Sequence, residues 1–349
     1  MAVDWFEQIT GFPESAYEST RSRLSVEDGT LVSLVNGKRT GVGTLEVCHL
    51  NDLRARAVAC AADGPRTTVR CLAGDVRALH GEREFAGALF QVASQFNLLE
   101  MESPQVSPEA GVTRYINDRT QGPACAMAAG AATIYRNYFA PVDGQSGQTS
   151  NRQIDALARL GSELAVRLSC SVRDLWEMRN GYALCTTKGL SAIGELLGDS
   201  SPATLEQLRG LLAIGLHRQV EVTDPTAAQR QRVSQAFCSA LPVAYSRIAP
   251  SAWESFARLV LEAAYEATLL AGADQCLRGG SNIVLLTRLG GGAFGNNPVW
   301  IDDAIERALA LVANCGLDVR LVGYKRTDPA SQAIVRRWDD SATTAGSAD

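Results

Sequence analysis

Hydrophobic positions along this chain switch repeatedly between short β-branched runs and stripes at helical spacing, a pattern that predicts strands interleaved with helices. Residues 30–35 and 43–50 alternate around Asn36-Gly37-Lys38-Arg39 and read as a β-hairpin preceding the main domain, with Trp5, Phe6 and Phe12 anchoring the N-terminal segment. Residues 67–73 read as the first core strand and 87–95 as the second, the latter running into Phe96-Asn97-Leu98-Leu99-Glu100. A helix is expected over 124–139, and another through Ile154, Leu157, Gly161, Leu164 and Leu168. Residues 175–179 and 182–186 flank Asn180-Gly181, the strongest short hairpin signal in the chain. Helices over 188–197 and 202–216 follow, then strands over 217–223 and 232–241. Ser251-Ala252-Trp253-Glu254 has the form of a capping box opening a long helix to Ala271, and 318–324 is the last strand.

The unit around which these elements are arranged is residues 283–305. An apolar run over 283–286 reads as a buried parallel strand, and it breaks into Gly290-Gly291-Gly292-Ala293-Phe294-Gly295. Asn297 then suits a helix N-cap and Pro298 the first helical position, with Trp300, Ile301, Ala304, Ile305 and Ala308 at helical spacing. A glycine loop entering a helix leaves backbone N–H groups uncovered at the positive end of the helix dipole, so its guest is an anion, most often a phosphate. The alternative is a glycine-rich turn that only lets the strand pack on its helix. Neither a Walker loop nor a GxGxxG fingerprint is present.

A second loop, Tyr115-Ile116-Asn117-Asp118-Arg119-Thr120-Gln121, turns through Gly122-Pro123 into a helix rich in Ala and Gly. Gln95 and Asn97, at the carboxyl end of a strand, stand where ligand contacts lie in open α/β sheets; local turn bonding by Asn97 is the other reading. Cys125, near a helix N-terminus, is placed for a lowered thiol pKa, yet it is flanked by Ala and has no evident His partner. Cys48 and His49 are strand neighbours that point to opposite faces.

The chain has 349 residues, 46% of them apolar and 20% charged, a composition of soluble globular proteins whose length suggests about two domains. A net charge of −5 without a clustered basic face argues against nucleic acid as partner. Cysteines at 48, 60, 71, 125, 170, 185, 238, 276 and 315 show neither CxxC nor zinc spacing, and free thiols in a reducing, cytoplasmic setting are expected. No metal-ligand cluster, signal peptide or membrane-spanning run is visible. The expected organisation is an N-terminal β extension over 1–66, a three-layer α/β/α domain with a mixed sheet over 67–326, and a partly disordered tail over 327–349; the domain carries a helical insertion at 144–216.

The strand running into Gly292-Ala293-Phe294-Gly295 and then a helix resembles the phosphate-binding loop of macrodomains, the ADP-ribose-binding fold. Asp118 to Ala126 and Gln95-Phe96-Asn97-Leu98-Leu99-Glu100-Met101 are similar to a divergent branch related to poly(ADP-ribose) glycohydrolases, which includes effector-type hydrolases acting on ADP-ribosyl-arginine. The resemblance spans residues 67–325 with three motifs in order. It implies that Gly290, Gly291, Gly292, Ala293, Phe294, Gly295 and Asn296 cradle the pyrophosphate, with Phe294 near the ribose. It implies ligand contacts from Gln95, Phe96, Asn97, Thr120 and Gly122, with Asp118 and Gln121 on the catalytic side; Asp302 and Asp303, just after the glycine loop, are further catalytic candidates by position, placed to touch the ribose or the departing guanidinium. Asp118 leads, because an oxocarbenium-like ribosyl state asks for a carboxylate. Asp302 and Asp303 serve equally well as helix-dipole compensation.

Ala93-Ser94-Gln95-Phe96-Asn97 replaces the usual Asn-Ala-Ala-Asn run, and the tandem glutamates of polymer-cleaving relatives are missing. The resemblance therefore implies removal of a single ADP-ribose from protein, at arginine, with ADP-ribose or ADP-ribosylated protein as partner and no cofactor. A non-catalytic ADP-ribose-binding module and a Cys125-dependent enzyme are the alternatives.

Overall fold

The computed structural model describes residues 4–57, 64–224, 227 and 230–345, with side chains to 341; Cys60 and residues 346–349 lie outside them. In chain order the first elements are α1 (Trp5–Thr10), α2 (Tyr17–Arg21), β1 (Leu24–Glu27), β2 (Thr30–Ser33), β3 (Arg39–Gly41), β4 (Thr44–His49), α3 (Leu50–Arg56), β5 (Thr68–Ala73), α4 (Val76–Leu79) and β6 (Leu89–Ala93). Next come α5 (Gln121–Ala128), α6 (Gly130–Tyr138), the two-residue strands β7 (Pro141–Val142) and β8 (Gln145–Ser146), α7 (Ala158–Arg167), α8 (Val172–Leu175), and the hairpin β9 (Trp176–Arg179) and β10 (Tyr182–Cys185). The chain continues with α9 (Thr187–Gly198), α10 (Pro202–Gly210), β11 (Ala213–Glu221), β12 (Arg232–Cys238), α11 (Glu254–Leu277), β13 (Ile283–Leu286), α12 (Pro298–Leu311), β14 (Asp318–Gly323) and α13 (Pro329–Ala345).

Seven strands form one mixed sheet in the order β4-β11-β12-β6-β13-β14-β5. β12, β6, β13, β14 and β5 run parallel, while β11 is antiparallel to both of its neighbours. Alternation along the central strands sorts side chains into two cores. Leu89, Val284, Leu286, Val319 and Leu321 face the layer of α11 and α12, whereas Phe90, Val92, Leu285 and Phe237 face α5 and α6. The expected three-layer α/β/α arrangement with a mixed sheet is the one observed. Among the described residues no helix is long and apolar enough to cross a membrane.

Several expected elements differ. The 30–50 hairpin closes instead between β2 and β3, and 44–49 leaves it to become the edge strand beside β11, where Cys48 stands opposite Ile214, far away in sequence but adjacent in the sheet. The single helix over 124–139 is two helices, broken at Ala129. The free groups at the break are taken up by Thr223, whose N–H donates to Ala128 O and whose hydroxyl accepts from Gly130 N. Gly130 is needed there because a Cβ would stand 2.5 Å from Ile9 Cδ1 of α1. The helix over 202–216 stops at Gly210, since the apolar run from Ala213 is drawn into the sheet.

No capping box forms at 251–254. Trp253 is the N-cap with its ring buried, and Glu254 turns to Arg258 at 2.8 Å. The polar stretch after Thr327, expected as partly disordered, is helical to Ala345; Ile334 is buried and Trp338 Nε1 donates to Thr67 O at 3.1 Å.

Trp5, Phe6, Phe12 and Tyr17 pack as a third cluster with Leu99, Met101, Tyr115 and Met127. Glu14 reinforces this contact, accepting from the N–H groups of Val112 and Thr113 and from the Tyr138 hydroxyl. The N-terminal segment thus braces the two loops, 94–101 and 112–120, that lead into the site.

Candidate active site

Parallel strands place their carboxyl ends on one edge of the sheet, and loops from different strands meet there. The loops after β6, β12 and β13, the start of α5, and Tyr182 of β10 enclose a cavity of 140 Å³. Gln95, Asp118, Thr120, Gln121, Gly122, Gly290, Gly292, Ala293 and Phe294, all expected site residues, line it. Glu100, Glu102, Tyr182, Tyr245 and Arg288 join them without having been singled out by sequence.

The glycine loop divides its tasks. Gly290 and Gly295 have φ of 73° and 68°, and a Cβ on them would stand 2.5 Å from Ala240 Cβ and 2.8 Å from Ala244 Cβ, so both serve the turn and its close packing. Gly291 lies over Ile301, whereas a Cβ at Gly292 would meet nothing within 4 Å. The N–H groups of Gly292, Ala293 and Phe294 find no protein acceptor among the described residues, and all three residues face the cavity. Three successive unpaired N–H groups ahead of a helix N-terminus form a ready acceptor of an anion. Buried Tyr265 of α11 holds the start of the loop, donating to Thr287 O at 2.7 Å and accepting from Leu289 N at 2.8 Å. Asn297 caps α12 by accepting from Val299 N, as expected from its position.

Glu100 is the feature that sequence reasoning passed over. Its residue is 3% exposed, and Oε1 has no hydrogen-bond partner among the described residues. A Cβ at Gly122 would stand 2.3 Å from Oε2 and 1.9 Å from Ala93 O, so only glycine lets α5 approach this carboxyl. Burial, opposed by the Arg136 guanidinium and reinforced by the Asp118 carboxylate, pushes the Glu100 carboxyl well above the ordinary carboxylate range. The result is a carboxyl whose protonated form is favoured by burial and that lines a cavity. The loop is fixed around it: Glu100 N donates to Tyr115 Oη at 2.9 Å, Met101 N to Gln95 Oε1 at 2.8 Å, and Tyr182 Oη to Met101 O at 2.7 Å. A lone Glu between Leu99 and Met101 was its one sequence signal.

Asp118 is half-buried at the rim, with Oδ1 accepting from Thr120 N at 2.8 Å. Glu102 also lines the cavity and pairs with Arg114 at 2.8 Å. Phe294, Tyr182 and Tyr245 form an aromatic wall with centroids 5.2 to 5.6 Å apart.

Other expected residues have different work. Gln121 spends its amide on the backbone of β6, accepting from Ala93 N at 2.9 Å and donating to Gln91 O at 2.8 Å, which makes it a positioning residue. Asn97 is fully buried and bonds Leu99 N at 3.1 Å, so local turn bonding prevails over ligand contact. Phe96 packs in the core, and Asn296 donates to Leu241 O at 2.9 Å. Asp303 pairs with Arg258 at 2.6 Å and Asp302 with Arg288 at 2.5 Å, and neither lines the cavity. Cys125 is fully buried and burial pushes its thiol well up, which removes the thiolate a nucleophile requires.

A second hollow of 310 Å³ shares Asp118, Thr120, Gln121 and Thr287 with the first. It opens at the carboxyl ends of β5 and β14, between Asp75, Arg77, Ile116 and Tyr324. Ile116 and Tyr324 are 51% and 66% exposed, unusual for apolar side chains facing a hollow.

No protein-family model and no curated protein matches this chain. Among solved structures it is similar to poly(ADP-ribose) glycohydrolase from Deinococcus radiodurans in complex with ADP-ribose, at 13% identity and a TM-score of 0.43, covering 85% of this chain and 94% of that one. It is also similar to the poly(ADP-ribose) glycohydrolase from Thermomonospora curvata, at 13% identity and a TM-score of 0.43, covering 89% and 93%. The form of the latter bound to the inhibitor ADP-HPD gives 13% identity and 0.42, covering 88% and 93%. At such values the chemistry of the site rests on this chain's own residues.

Proposed function

We propose that this chain is an ADP-ribosyl hydrolase that removes a single ADP-ribose from protein side chains, with arginine as the modified residue. The observation that carries the reading is one cavity holding both an unpaired N–H row on a glycine loop and a buried carboxyl with an unpartnered oxygen, whose pKa burial raises. The first suits a diphosphate and the second suits the breaking of a glycosidic bond.

In this scheme the diphosphate lies on the N–H groups of Gly292, Ala293 and Phe294. The adenosine extends into the second hollow between Ile116 and Tyr324, and the distal ribose turns toward Gly122 and Glu100. Glu100 gives its proton to the departing nitrogen as the bond from the anomeric carbon breaks. Asp118 steadies the oxocarbenium-like ribosyl cation and takes a proton from the attacking water, whose oxygen forms the new bond. The products are ADP-ribose and free guanidinium. Arginine is favoured because the cavity lining holds the carboxylates Glu102 and Asp118 as well as the N–H row, and Glu102 already pairs with a guanidinium, that of Arg114.

Calorimetric titration with ADP-ribose, beside AMP and NAD, tests binding; cleavage of ADP-ribosyl-arginine peptide, beside serine-linked ADP-ribose and polymer, tests the reaction. Saturable ADP-ribose binding, abolished by Gly292→Glu, with release from the arginine peptide is the expected result. Binding without turnover on any linkage makes the chain a reader, and no binding removes the reading altogether.

A further inference from the structure

Arg288 and Asp302 belong to opposite ends of the glycine loop, and their contact spans it. Arg288 follows β13, Asp302 sits in the second turn of α12, and the guanidinium Nη1 stands 2.5 Å from Asp302 Oδ1. Both of these atoms are shielded from solvent and neither makes a hydrogen bond, so the contact is purely electrostatic, and burial is what gives it strength. Arg288 Nη2 also donates to Pro298 O at 3.3 Å, the first residue of α12. On the loop side, Arg288 O accepts from Gly291 N at 3.1 Å, and a Cβ on Gly291 would lie 3.1 Å from Ile301 Cδ1 and 3.8 Å from Arg288 Cβ. Arg288 therefore ties together the loop's first turn, which ends one residue ahead of Gly292, the strand end and the helix start.

Ordering a loop costs backbone freedom, and a loop ordered before the ligand arrives binds more tightly. We propose that the Arg288–Asp302 pair is a clasp that pre-orders the Gly292–Phe294 N–H row, making Asp302 a positioning residue for the diphosphate and not a catalytic acid. The ligand named here rests on the function proposed above, whereas the clasp itself does not.

Two measurements separate these layers. Amide hydrogen exchange without ligand, at Gly291, Gly295 and Asn296, reads the loop's own bonds to Arg288 O, Gly292 O and Gly290 O. Asp302→Asn, which keeps the side chain's shape, is expected to speed exchange there by about tenfold while sites in α11 stay unchanged. Equal exchange in the two proteins overturns the clasp, whatever the protein binds. Titration with ADP-ribose and with adenosine then tests the ligand. Asp302→Asn and Arg288→Met each weaken ADP-ribose about tenfold and leave adenosine within twofold; the double variant is no weaker than the poorer single, and the exchanged pair Arg288→Asp with Asp302→Arg recovers part of the loss. Additive losses, or equal losses for adenosine, overturn the positioning role. If wild-type protein binds no ADP-ribose while the exchange result holds, the clasp stands and the functional reading falls.

Discussion

Glu100→Gln is expected to make the protein more stable at neutral pH and nearly inactive. Above pH about 4.5 the unfolded carboxyl ionises, while burial raises the pKa of the folded one, so it ionises only at higher pH. The folded state then binds more protons, so stability is lost as pH rises toward the folded pKa. Each tenfold change in that acidity corresponds to about 1.4 kcal/mol, or roughly 2 °C in Tm for a chain of this size. Glutamine keeps the shape, carries no proton to lose and forgoes the penalty. The Gly122 contact accommodates an amide as it does a carboxyl, since Oε2 and its replacement occupy the same space. Loss of a general acid costs about 10²- to 10⁴-fold in rate. The assay is thermal unfolding of both proteins from pH 4 to 8, together with single-turnover release of ADP-ribose. The variant should gain stability at pH 8, match wild type at pH 4 and lose turnover. A variant less stable at pH 8, or one that turns over normally, refutes a protonated catalytic Glu100.

Asp118→Ala should fold normally, because its side chain's recorded bond is to Thr120 N in the same loop; ADP-ribose binding stays within about tenfold while turnover falls by about 10²-fold or more. Gly292→Glu and Gly290→Ala should part company: the first keeps Tm and loses ADP-ribose binding, whereas the second meets Ala240 at a positive φ and lowers stability by about 1–2 kcal/mol, read by denaturant unfolding. His80 is fully buried, stacked on Phe90, with Nδ1 bonded to Val76 O, and burial lowers its pKa to about 4. Its contribution is complete above pH about 6.5 and is lost as pH falls toward 4, about 3 kcal/mol in all. His80→Phe should flatten that part of the stability profile measured by urea unfolding.

The β13-loop-α12 unit was legible to the residue, because each of its signals acts locally. A β-branched run makes the strand, Asn297 caps, Pro298 pre-sets the first helical turn, and the glycines mark the loop. The Asn180-Gly181 hairpin was legible for the same reason, as it needs only φ above zero at its two turn residues. In the 115–126 stretch, Asp118, Thr120, Gln121 and Gly122 do reach the cavity, although Gln121 braces the strand there.

Tertiary structure decided what depends on partners far along the chain. Whether 44–49 pairs within its hairpin or beside β11 is settled by the edge of a sheet assembled elsewhere, and the break at Ala129 by Thr223. Asp302 and Asp303 look equivalent in sequence, yet Arg288 and Arg258 take them into ion pairs. Glu100 is the clearest case, since no local pattern states that a carboxyl will be desolvated. Its acidity is set by the packing of β6, α5 and Tyr115 around it. By itself the sequence determined the strands, helices and turns whose free energy is local; the register between distant strands, and the burial that turns one glutamate into an acid, belong to the fold, because desolvation and long-range pairing exist only once the chain has closed.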